Sequence, residues 1–142
     1  MKKLLGILVL GLLWCNTSFA DSLRVVDGDT IVLNGEKIRF SGIDTPELKQ
    51  TCIKGGQEIF CGKLAKILLI KKIGKEIPKC IKEGKDIYKR ILAECFIKGE
   101  SLSSFLVRSG YAFAYRKYSK KFIKDEEFAK KNKLGMWSMK FE

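Results

Sequence analysis

Two short acidic turns carry the residues of this chain best suited to chemistry: Asp27-Gly28-Asp29-Thr30 and Asp44-Thr45-Pro46-Glu47. Between them lie two strand-like stretches, Ile31-Val32-Leu33 and residues 38–43, separated by Asn34-Gly35. That pair favours the left-handed backbone of a two-residue type I′ hairpin turn. Folded there, Leu33 faces Glu36 and Thr30 comes opposite Arg39, so Asp29 and Arg39 become neighbours. The second acidic turn follows at the end of the returning strand, which lets Asp29, Asp44 and Glu47 converge. Hard carboxylate oxygens beside a guanidinium describe a site for a divalent cation that handles phosphate. Asp and Gly are also common in ordinary surface turns. Either turn alone reads that way; the two together, with Arg39 between them, point to a site.

The frame that must hold these turns is one domain, since 142 residues supply a single proper core. Its start reads as a leader. Lys2-Lys3 precede an apolar stretch from residue 4 to 14, and Ser18-Phe19-Ala20 offers the small residues of a cleavage site. Cleavage after Ala20 is expected, with a retained N-terminal anchor as the alternative. Residues 1–20 hold two lysines and no acid, so the remainder has 26 basic against 16 acidic residues, a net charge of +10. Such a surplus suits a polyanionic partner: nucleic acid, an anionic membrane or an acidic glycan. Cys52, Cys61, Cys80 and Cys95 remain after processing. An even number in an exported chain suggests disulfides, and of three possible pairings Cys52–Cys61, closing a loop that contains Gly55-Gly56, and Cys80–Cys95, joining two strands of a hairpin, are favoured. Zinc has neither a CxxC spacing nor a histidine to support it. The lack of histidine also excludes Ser-His-Asp, Cys-His and histidine-dependent nuclease chemistry.

Beyond the hairpin, residues 48–56 read as an open loop and 57–72 as a helix with a lysine-rich outer face, stopped by Gly74. Residues 76–82 and 90–97 read as strands around a polar turn at 82–86, which places Cys80 opposite Cys95. A short helix is expected from Ser101, a good N-cap, to Ser109, and an aromatic strand at 111–115. A final helix covers 119–133, with Ile123 and Phe128 facing inward and Gly135 beyond its end. Strands first and helices later make an α+β protein, specifically a small oligonucleotide-binding (OB-type) barrel flanked by helices.

Five segments carry a resemblance: DGDT at 27–30, IRFSGIDTPE at 38–47, DIYKR at 86–90, LVRSGYA at 106–112 and LGMWS at 134–138. In order and spacing they resemble the staphylococcal nuclease (thermonuclease) family, over nearly all of residues 21–142. The resemblance implies a five-stranded OB-type β-barrel with three helices and a calcium-dependent phosphodiesterase acting on DNA and RNA. It makes Asp29, Asp44 and the Thr45 carbonyl the Ca²⁺ ligands and Glu47 the residue that holds the attacking water. Arg39 and Arg90 would grip the scissile phosphate and Tyr88 would line the nucleotide pocket. By the same resemblance the enzyme would prefer single-stranded nucleic acid and leave 3′-phosphate ends. The leader, with a cysteine arrangement that resembles exported bacterial branches of the family, implies an exported, periplasmic or secreted protein, and a monomer is expected. The family's Tyr-Gly-Arg appears as Tyr88-Lys89-Arg90, which costs backbone freedom if that position requires positive φ.

The chemistry is consistent with those roles. Attack of water on a phosphodiester builds negative charge, and two guanidiniums with a divalent cation neutralise it. Taken singly, each residue has a plainer reading: turn caps for the aspartates, an outward charge for Arg39, a pair with Asp86 or Glu83 for Arg90. The functional rivals are a catalytically silent OB-type nucleic-acid-binding module and a basic envelope protein that binds anionic lipid or glycan.

Overall fold

The computed structural model describes residues 19–140. Of the expected leader, all but Phe19 and Ala20 lies outside the described residues. Strand β1 (Leu23–Val25) pairs antiparallel with β2 (Thr30–Leu33), which turns into β3 (Glu36–Phe40). The turn is Asn34-Gly35, at φ 50° and 80°, and the register sets Leu33 against Glu36 and Thr30 against Arg39. Gly42 then breaks the 38–43 run. It sits at φ 72°, and a Cβ there would meet the Phe122 ring at 2.9 Å. The run therefore splits, and a separate β4 (Ile43–Asp44) leaves the main sheet to pair with β10 (Phe113–Ala114).

Residues 48–56 are not wholly loop. β5 (Cys52–Lys54) and β6 (Gln57–Ile59) form a small hairpin around Gly55-Gly56. Because 57–59 pair as a strand, the helix starts later than its apolar spacing suggests: α1 spans Cys61–Ile73 and ends at Gly74. The Cys52–Cys61 disulfide joins β5 to the first residue of α1.

β7 (Lys79–Lys85) and β8 (Ile91–Ile97) are antiparallel, with Cys80 opposite Cys95 and disulfide-bonded to it. The strand β7 runs on through the expected turn at 82–86, with a register shift between Lys82 and Gly84. The reversal instead falls at 86–90, where the Asp86 carboxylate accepts from the Tyr88 and Arg90 backbone N–H groups, each at 2.9 Å. A side chain that can cap its own turn outweighs a glycine's mere permissiveness here.

β9 (Glu100–Ser101) pairs with the end of β8 and leads into α2 (Leu102–Arg108). Ser101 caps it, its Oγ accepting from the Ser104 N–H at 3.2 Å. α3 is shorter than expected, Ile123–Lys131, and is followed by a 3-10 helix at Gly135–Ser138. Its inward residues differ from expectation. Ala129 and Glu126 are buried, whereas Phe128 lies outward beneath the Arg108 guanidinium, 3.5 Å from ring centre to charge. Ile123 packs only partly against the core, and Phe122 just before the helix is the buried aromatic.

The main sheet runs β1-β2-β3-β8-β7, with β9 on the far end of β8. β3 and β8 are parallel and set Arg39 beside Leu92. Five strands in this order, with α1, α2 and α3 around them, form the α+β OB-type fold. Ile31, Phe40, Ile43, Leu69, Leu102 and Leu106 are fully buried between sheet and helices.

Candidate active site

Asp29 precedes β2 and is nearly inaccessible, 5% exposed. Its Oδ1 accepts from the Thr30 hydroxyl at 2.9 Å and its Oδ2 from the Thr45 N–H at 3.2 Å. The second acidic turn is therefore tied to the first through one carboxylate. Gly28 makes this possible, since a Cβ would meet Thr45 Oγ1 and Ala65 Cβ at 2.9 Å. Burial pushes the Asp29 carboxyl up to about 6, against the pull of the Arg39 charge, while Asp27 adds to the rise.

Arg39 projects from β3 and joins the two turns. Its Nη2 lies 2.9 Å from Asp44 Oδ1 and 3.5 Å from Asp29 Oδ2, and its Nη1 donates to the Ile43 carbonyl at 3.3 Å. Burial opposes the charge of this guanidinium, but Asp29 and Asp44 more than offset it and raise its pKa. Asp44 is exposed and is held by β4 pairing with β10, where it stands opposite Phe113.

Glu47 follows the buried Pro46 and faces solvent. Its backbone is fixed by Gln50: the Glu47 N–H donates to Gln50 Oε1 at 3.1 Å, and the Gln50 N–H donates to the Glu47 carbonyl at 2.9 Å. Helix α1 sets its position from behind. A Cβ on Gly62 would lie 1.8 Å from the Glu47 carbonyl oxygen, so helix and loop touch backbone to backbone. The structure thus brings Asp29, Asp44 and Thr45 together around Arg39 but does not gather Glu47 with them. Among the described residues no group of three His, Cys, Asp or Glu is arranged to hold a metal ion.

Arg90 opens β8 from the other side. Asp86 receives its Nε at 2.6 Å, and the guanidinium lies 5.4 Å from the Tyr88 ring centre. Partial burial works against the ionised Asp86, but the bonds from Arg90 and Tyr88 outweigh it and lower its pKa. Lys89 adopts φ 61°, the left-handed conformation for which glycine is the natural residue. Tyr88 is 73% exposed.

Arg39 and Arg90 line one cleft of about 650 Å³, with Tyr88, Tyr115, Tyr118 and Lys121 among its other walls. The rings of Tyr115 and Tyr118 are 4.7 Å apart. Sequence reasoning left these two tyrosines without a role, because only the β4–β10 pairing brings their segment beside Arg39. Also missed were Glu94, a buried carboxylate in the cleft ion-paired to Lys121, and the close approaches at Gly28 and Gly62. Glu94 left a signal, being the one charge in the apolar run of β8. The glycines left none beyond their type.

Known proteins resemble this chain over most of its length. The chain is 32% identical over 117 residues to a succinoglycan biosynthesis protein, ExoI, of Rhizobium meliloti, covering 80% of this chain and 61% of that one. It is 34% identical over 127 residues to the SPbeta prophage-derived endonuclease YokF of Bacillus subtilis, covering 81% and 42%. It is 33% identical over 127 residues to endonuclease YncB of the same organism, covering 81% and 59%. The chain therefore spans between about two fifths and three fifths of the length of these relatives. The family model described as staphylococcal nuclease homologue matches residues 37–139, a span that holds Arg39, Asp44, Thr45, Glu47, Tyr88 and Arg90, with Asp29 just ahead of it. With most of the described fold inside that match, the chain belongs to the family of staphylococcal nuclease homologues.

Proposed function

We propose that this chain is an exported, calcium-dependent endonuclease that hydrolyses phosphodiester bonds of DNA and RNA, preferring single strands and acting as a monomer. The observation that carries the reading is the pair Arg39 and Arg90 on one cleft, with Asp29 and Asp44 bound to the first of them. Relatives named as endonucleases support it.

The donor set fits a hard cation. Asp29 and Asp44 hold carboxylate oxygens at one guanidinium, and the Thr45 backbone is tied to Asp29 through its N–H, so its carbonyl would be the third ligand. Two carboxylates and a carbonyl leave several positions for water, which suits the high, irregular coordination of Ca²⁺. Bound there, the ion would supply positive charge beside the phosphate and polarise a water.

The chain's own residues do the rest. Arg39 and Arg90 present paired donors to the phosphoryl oxygens and neutralise the charge that grows on them. To do so, Arg39 exchanges part of its bond with Asp44, and Arg90 remains oriented through Nε on Asp86. Glu47 accepts the proton of the water that attacks phosphorus. The bond to the 5′ oxygen breaks, that oxygen takes up a proton from solvent, and a 3′-phosphate remains. Tyr88, Tyr115 and Tyr118 offer ring faces to unstacked bases, which favours single strands. Two disulfides support an oxidising destination, periplasm or medium, reached by way of a leader ending near Ala20.

The test is cleavage of heat-denatured DNA in calcium and in chelator, with Glu47→Gln alongside. The reading requires activity that depends on calcium and falls at least about a hundredfold in the variant. One observation favours the silent binding module: both guanidiniums already have carboxylate partners. Salt-sensitive DNA binding without cleavage in either protein would establish that module instead.

A further inference from the structure

Helix α1 buries Cys61, Gly62, Ala65, Leu69 and Ile73 against the body. Its opposite side is not the solvated polar face that such a helix usually shows. Phe60 at its entry, Ile67 and Ile70 are 48%, 46% and 46% exposed, and Ile67 and Ile70, three residues apart, share a side of the helix. Lys63, Lys66 and Lys71 stand among and beside them, and α1 contains no acidic residue at all. The Lys63 ammonium lies 4.5 Å over the Phe60 ring, so this lysine and the entry aromatic are packed together. Ile53 on the disulfide-linked β5 and Ile77 beyond Gly74 are exposed as well. None of these residues lines the cleft of Arg39 and Arg90.

A helix face of exposed apolar residues interleaved only with lysines matches one kind of partner. Nucleic acid would be met by arginines and stacking rings, and isoleucines have no face for a base. A bilayer interface takes both parts: Phe and Ile enter the boundary of headgroup and acyl chain, and lysines extend to the phosphates. We propose that α1 lies on the surface of a membrane rich in anionic lipid, through Phe60, Ile67 and Ile70 flanked by Lys63, Lys66 and Lys71. The basic surplus of the chain, +10 over residues 21–142, adds long-range attraction to the same surface. This surface shares no residue with the proposed nuclease site, so either assignment can fail without the other.

The test uses residues 21–142, the chain expected after cleavage, which hold the described core clusters and the Cys52–Cys61 and Cys80–Cys95 disulfides; a cooperative thermal melt establishes first that it is folded. The chain is sedimented with vesicles of phosphatidylcholine, with and without phosphatidylglycerol. It should pellet with the anionic vesicles, be released by salt, and stay in solution with phosphatidylcholine alone. Ile67→Ser with Ile70→Ser should lower the partition coefficient about tenfold with the circular dichroism spectrum unchanged. Lys63→Gln with Lys71→Gln should lower it by a similar factor and flatten its salt dependence, and it serves alone if the isoleucine pair fails to fold. No pelleting with anionic vesicles, or equal pelleting of the unaltered chain and both variants, would overturn the proposal. So would a change in oligomeric state of the isoleucine variant without vesicles, which would give the face to a second copy, or a loss of its affinity for single-stranded DNA.

Discussion

Lys89 occupies a backbone conformation that only glycine enters without steric cost, and it does so between Tyr88 and Arg90. Asp86 holds the turn closed around it with three hydrogen bonds. Lys89→Gly relieves the Cβ clash but frees the unfolded chain, so the net gain is about 0.5–1 kcal/mol. Urea unfolding should show the midpoint rising with an unchanged slope. Asp29 carries a larger penalty. Its carboxyl is raised from 3.8 to about 6, so folding favours its protonated form. Its contribution to stability is full below pH 3.8 and is lost as pH rises through about 6, a change of about 3 kcal/mol at most. Thermal melts between pH 4 and 7 should therefore fall less steeply for Asp29→Asn than for the unaltered chain. The same variant should lose cleavage, the mark of a group kept charged at the expense of stability.

At the level of elements, Glu126 on α3 ties the site to the helical layer. Buried at 4% exposure, it accepts from the Ala114 N–H at 2.7 Å, pairs with Arg116 at 2.8 Å and with Lys130 at 3.2 Å. Ala114 pairs with Ile43 in β4, and the Ile43 carbonyl receives Arg39, so the carboxylate reaches the guanidinium through one strand pair. Glu126→Ala leaves the buried Ala114 N–H without its acceptor and two half-exposed cations to water, and should cost about 1–3 kcal/mol. Glu126→Gln, which keeps an acceptor, should cost less. Both are read by thermal unfolding together with kcat/KM. The hairpin that carries Asp29 and Arg39 was legible residue by residue because a two-residue turn fixes register locally. The β4–β10 pair was not, since two residues on each side leave no periodic trace and Gly42 ends β3 only by its contact with Phe122. Phe128 was misread for a related reason: on a helix this polar, Glu126 takes the inward place because its partners lie on β10 and beyond.

At the scale of the molecule, the Cys52–Cys61 and Cys80–Cys95 disulfides fasten a small core whose sheet is joined in sequence-distant halves. The Cys80–Cys95 link closes a loop of 15 residues between neighbouring strands. Replacing both cysteines by alanine should cost about 3 kcal/mol, seen as a lower urea midpoint that reductant no longer shifts through this pair. The join between the halves is the parallel contact of β3 with β8, where Arg39 meets Leu92 and Arg90 stands just before Ile91. The hairpin with Asp29 and Arg39 closes on local contacts, whereas β3 meets β8 only across a long stretch of chain. A chain that ends ahead of β8 and the turn before it therefore keeps the turn carboxylates and Arg39 but lacks Arg90 and the 115–122 wall of the cleft.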